Sequence, residues 1–161
     1  VRTAYEESNH GDMSYPTDIE KYSYKGKYSN YIADVNDEFG YKIFIEDDKC
    51  YTQDLSEKKN IVKNIFEIQN LLSSNGYAPK AHEILNCHDD KTFFYAIKTD
   101  NLKGKFVEPS DEWKQSLIAF CDENGIHRNG VSIEKELVVD NCIEVDGKTY
   151  LVDIDLNWEK K

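Results

Sequence analysis

Long apolar runs are missing from this sequence. Nowhere do eighteen apolar residues follow one another, so no segment reads as a membrane-spanning helix. The first fourteen residues are polar and charged and lack the apolar stretch of a secretory leader, so the expected address is the cytoplasm. The sequence opens on Val1, as a domain cut from a longer protein would. Positive charge is also scarce. Twenty Lys and Arg stand against thirty-one Asp and Glu, a net charge of −11. Such a chain lacks the basic surface that displaces counterions from nucleic-acid phosphates, and neither a nucleic acid nor a membrane is expected as a partner. The charge itself favours solubility.

Cysteine chemistry is limited in the same way. Cys50, Cys87, Cys121 and Cys142 are scattered, with no C-x-x-C pair, and a chain of this length does not depend on disulfide staples. Free buried thiols are expected. The four histidines do not fall at zinc spacing: His82-Glu83 begins like a zinc-peptidase motif, but Asn86 stands where the second histidine belongs. No transition-metal site is expected.

What remains is enough for a core, since 39% of residues are apolar and seven Phe, eleven Tyr and two Trp are among the aromatics. Residues 1–18 show no apolar period and read as a mobile lead-in or a late-docking segment. From Lys21 onward, aromatic and β-branched alternation predicts three strands, around Tyr22 and Tyr24, over 31–35 and over 41–45, with turns at Gly26 and at 36–40. A helix follows. Asp54 and Glu57 are spaced as a capping box, Ile61, Ile65, Ile68 and Leu72 form its stripe, and Gly76 and Pro79 stop it. Two more strands are predicted over 81–87 and 92–97, joined by a turn over 88–91. Pro109 and Ser110 then open a second helix with Trp113, Leu117 and Cys121 on one face, closed by Asn124-Gly125. Residues 127–139 read as irregular. The turn Asp146-Gly147 predicts a last hairpin, 142–145 with 149–154. The fold class is therefore α+β. On the closing strand, Asp153 and Asp155 are two residues apart and so share a face, an arrangement suited to Mg²⁺, which takes one or two carboxylates together with phosphate oxygens and water.

The order of these elements, with the stretches Glu136-Leu137-Val138-Val139-Asp140-Asn141-Cys142-Ile143 and Tyr150-Leu151-Val152-Asp153-Ile154-Asp155, resembles the protein-kinase-like fold, in particular its aminoglycoside and choline phosphotransferase branch. The resemblance covers about residues 20–158. It implies one kinase-like domain over 19–161, with a sheet-plus-helix lobe over 19–100 and a reduced lobe of helix and hairpin over 101–161. It also implies ATP and Mg²⁺ as cofactors. On it, Asn141 and Asp153, with Asp155, hold the metal on the nucleotide phosphates. Lys42 on the third strand pairs with the phosphates and Glu67 in the helix pairs with Lys42. Gly26 stands alone where a glycine-rich loop is expected. Glu136 takes the place of the catalytic Asp, and a second register sets His127-Arg128-Asn129 on the family's His-Arg-Asp triplet. Two functions follow as expectations: phosphoryl transfer from ATP to a hydroxyl of a small molecule, or a catalytically inactive kinase-like module that binds a protein partner through its tyrosine-rich surface.

Overall fold

The computed structural model of the chain describes residues 2–6, 11–15, 23–25, 29–32, 37–44, 55–88 and 93–161. These form an α+β protein of two compact units. The first comprises Val1–Phe66 with Ala81–Asn101, and the second comprises Glu67–Lys80 with Leu102–Lys161. Among the described residues no helix is long and apolar enough to cross a membrane.

The first unit is an antiparallel sheet. Its strands are β1 (Arg2–Glu6), β2 (Gly11–Tyr15), β3 (Ser23–Lys25), β4 (Ser29–Ile32), β5 (Phe39–Phe44), β6 (Ala81–His88) and β7 (Phe93–Asp100), in the order β2-β1-β6-β7-β5-β4-β3. Strands occur at all five expected places in this region, although β4 covers Ser29–Ile32 where 31–35 was expected and residues 33–35 lie outside the described residues. Phe39 and Gly40, expected in a turn, belong to β5 because they pair with Asp100 and Thr99 of β7. Residues 1–18, read as a lead-in, supply β1 and β2. β1 joins the sheet where Ala4 faces Cys87, which satisfies backbone groups that the edge of β6 would otherwise leave open. Ile43, Leu85, Ala96 and Ile97 are buried on the strands, and Val62 and Ile65 on the first helix, α1 (Leu55–Ser74). Gly40 is required by a close approach: a Cβ there would overlap the ring of Tyr31, whose hydroxyl donates to Asn101 Oδ1 at 2.9 Å. Burial, with Asp100 and Asp37 adding to it, pushes the Tyr31 phenol up, so it stays a donor.

α1 carries the expected stripe, with Ile65, Ile68 and Leu72 fully buried. Its expected cap, Asp54, lies outside the described residues, as does the side chain of Glu57. The exit is closed by the backbone. Tyr77 N donates to Leu72 O at 3.0 Å and Gly76 N to Ser73 O at 2.9 Å, the paired bonds of a Schellman stop, with Gly76 at φ +78°. The carbonyl of Tyr77 then accepts from Leu151 N at 2.7 Å.

The rest of the second unit contains α2 (Asp111–Glu123), α3 (Ile133–Glu136) and a 3-10 turn over Val139–Asn141. Its strands make two small sheets. β10 (Cys142–Val145) lies between β11 (Lys148–Leu151) and β8 (Lys105–Phe106), and β9 (Ile126–Arg128) pairs with β12 (Trp158–Lys160). α2 begins as the sequence predicts, since Ser110 Oγ accepts from Trp113 N at 3.2 Å and Asp111 and Glu112 occupy the positive end of the helix. Leu117, Cys121, Ile126, Leu137, Cys142, Leu151, Ile154 and Trp158 are buried here. Tyr77 packs on Trp113 and Phe120, and its hydroxyl is bonded to Ser116.

Three sequence expectations change in this unit. The segment 127–139 is not irregular throughout, because β9 and α3 lie within it. β8 and β12 were not expected at all; strands of two or three residues carry no readable alternation. The closing strand of the hairpin ends at Leu151, so Asp153 and Asp155 lie beyond it rather than sharing a strand face. Cys121 and Cys142 are free and buried as expected, and burial pushes both thiols up to about 12, which leaves them uncharged and unreactive at neutral pH. Cys50 and the side chain of Cys87 lie outside the described residues.

Candidate functional site

The hairpin that builds the site has its register fixed by its turn. Asp146 and Gly147 both have positive φ, 51° and 80°, as a two-residue turn matched to strand twist requires, and Cys142 then faces Leu151. Both of these end residues are fully buried. Just past the ladder, Val152 N donates to Asn141 O at 2.9 Å, which holds the start of one strand against the exit of the other. Asn141 and Asp153 therefore leave the hairpin at the same end.

Glu136 is brought to that end by α3. Asn141 Nδ2 donates to the Glu136 carbonyl at 2.8 Å and approaches Glu136 Oε2 at 3.4 Å. With its amide nitrogen turned to Glu136, Asn141 retains Oδ1 as the oxygen it can offer elsewhere. Arg128, at the end of β9, reaches the same cluster. Its Nη2 donates to Asp155 Oδ2 at 2.8 Å, its Nη1 donates to Val131 O at 2.7 Å, and Nη1 lies 3.6 Å from Glu136 Oε1. The second oxygen of Asp155 accepts from Asn157 N at 2.9 Å, a short turn that directs the chain into β12. Asp155 thus spends both oxygens on protein donors.

Three carboxylates, Glu136, Asp153 and Asp155, share this end of the unit with one guanidinium. The electrostatics follow. Burial raises the proton affinity of Glu136, Arg128 opposes that rise, and Asp155 and Asp153 add to it, leaving the carboxyl above the usual range. The Arg128 side chain is only 4% exposed, and its Nε is buried without a hydrogen-bond partner. An orphaned buried donor costs about 1–3 kcal/mol. Arginine is retained here in spite of that cost. A lysine would lack Nε, but it would also lack the fork that binds Asp155 and Val131 O together.

The residues named from the sequence are thus distributed unevenly. Glu136, Asn141, Asp153 and Asp155 come together in the second unit. Lys42 lies in the first, on β5 opposite Tyr31 of β4 and Ile97 of β7, and is buried with 6% exposure. Glu67 is an exposed residue of α1. Gly26 lies outside the described residues. The side chain that sequence reasoning placed only in a secondary register is Arg128, and a signal for it exists. Lysine outnumbers arginine eighteen to two in this chain, and Arg128 is the single Lys or Arg between Lys114 and Lys135.

Among the described residues no three of His, Cys, Asp and Glu form a group that holds a metal on protein ligands alone. Magnesium does not need one, since it binds through one or two protein oxygens and completes its shell with phosphate and water. Asn141 and Asp153 offer oxygen donors of that type at the same end of the hairpin, and both oxygens of Asp155 accept from protein donors. Compared with known proteins, the chain matches no protein-family model and no curated protein.

Proposed function

We propose that the chain is an abbreviated kinase-like phosphotransferase that uses ATP and Mg²⁺ to phosphorylate a hydroxyl of a small molecule. The observation that carries this reading is the convergence, at one end of the Cys142–Leu151 hairpin, of Glu136, Asn141, Asp153 and Asp155, all four singled out by motif spacing. Part of the sheet adds support: β3, β4 and β5, the last carrying the buried Lys42, precede α1, and β6 and β7 follow it, while β1 and β2 are two further strands beyond β6. In this reading Asn141 and Asp153 would hold the ion, which supplies charge neutralisation on the transferred phosphate. Glu136 accepts the acceptor's hydroxyl proton as that oxygen attacks the terminal phosphorus and the bond to the ADP oxygen breaks. A carboxyl with raised proton affinity suits that task, because a base is most effective when its affinity approaches the working pH.

A second reading is favoured by one feature of the same cluster. Arg128, Asn141 and the Asn157 amide satisfy Glu136 and Asp155 without any ligand, as a catalytically inactive kinase-like module binding a protein partner would allow. Thermal unfolding with and without ATP and Mg²⁺ separates the two. Ligand at a hundred times its dissociation constant stabilises by about 2.7 kcal/mol, a rise of a few degrees at this size. The rise should need both components and vanish in Asp153→Ala while that variant still unfolds cooperatively. No rise at millimolar nucleotide would overturn the phosphotransferase reading.

A further inference from the structure

We propose that Arg128 stands in for a second cation at this site, so that the chain binds nucleotide with one divalent ion and not two. The inference rests on the phosphotransferase reading and extends it. A divalent ion at Asp155 would have to displace a 2.8 Å charge-assisted bond from Arg128 Nη2 and the 2.9 Å bond from the Asn157 amide. Arg128 cannot easily move aside. Its side chain is 96% buried, being 4% exposed, and Nη1 is anchored on the Val131 carbonyl at 2.7 Å. Nor can it lose its charge, since a guanidinium stays protonated in proteins. The group spans Asp155 at 2.8 Å and Glu136 at 3.6 Å, bridging two carboxylates as a bound ion would. Its orphaned Nε points the same way, for the fold keeps a fixed positive charge here even where one donor finds no acceptor.

The test counts ions. The chain is titrated with Mn²⁺, with and without a non-hydrolysable ATP analogue, and bound ion is read by electron paramagnetic resonance. One Mn²⁺ per chain is expected with the analogue. In Arg128→Gln, where Glu136 and Asp155 lose their resident cation, a second Mn²⁺ should bind at least tenfold more tightly than any second ion on the wild-type chain. Two ions on the wild-type chain would overturn the inference and leave the phosphotransferase reading intact. A count that stays at one in Arg128→Gln would overturn it as well. No ion on the wild-type chain, with or without the analogue, would overturn both. Should Arg128→Gln fail to fold, Asp155→Asn decides: a count held at one with affinity within threefold supports the inference, and loss of the ion shows that Asp155 is a ligand and sinks it.

Discussion

The first unit pairs strands that reach eight residues in β6 and β7, whereas the second joins strands of two to four residues and adds side-chain bonds to isolated backbone ones. In the first, long antiparallel pairing satisfies the backbone. In the second, Ser110 caps a helix, Asn141 ties a turn to α3, and Arg128 and Asp155 link β9 to the approach of β12. The candidate site falls in the unit with short ladders. Polar side chains already needed to hold irregular backbone there are the ones left near one another, and chemistry can draw on them without new scaffolding.

If this contrast is sound, the second unit depends on a few large apolar residues. Trp158→Ala, at a position with no exposure, should cost about 3–5 kcal/mol, read as a fall in the denaturant midpoint, with exchange protection of the β10 and β11 amides falling first. A cost below about 1 kcal/mol would break the comparison. In the first unit the sensitive point is backbone approach rather than a large side chain. Gly40→Ala should cost about 1–3 kcal/mol by driving the Tyr31 ring away from Asn101, and chemical unfolding would show it. The smallest effect is expected at Glu136. Its proton is held more tightly in the folded chain than in the unfolded one, so it contributes stability below the ordinary carboxylate value of about 4.3. That contribution is lost as pH rises through the raised folded value. Glu136→Gln has no such proton to lose, and its melting temperature should gain on the wild type as pH is raised from acid to neutral. A difference that stays constant across that range would mean equal proton affinity in both states.

The elements legible in the sequence are those whose signals are local. α1 declares itself through Ile61, Ile65, Ile68 and Leu72 with Gly76 after them, α2 through Ser110 and Asn124, and the last hairpin through Asp146-Gly147. β9 and β12 are illegible because three residues hold no period and their pairing, Trp158 with Arg128, spans thirty positions. The site divides along the same line. Glu136, Asn141, Asp153 and Asp155 lie within twenty residues and keep a readable spacing. Arg128 joins them through a bond to a residue twenty-seven positions away, and no spacing rule anticipates which carboxylate a lone arginine will find.

The 2.7 Å bond from Leu151 N to the Tyr77 carbonyl carries a consequence for the order of assembly. The donor is made seventy-four residues after the acceptor, and at about 5–20 residues per second that interval is roughly 4–15 s of synthesis. Until residue 151 has been made, the Tyr77 carbonyl lacks the donor that it has in the folded chain and must be satisfied by water or another group, so the exit of α1 is completed only late in synthesis.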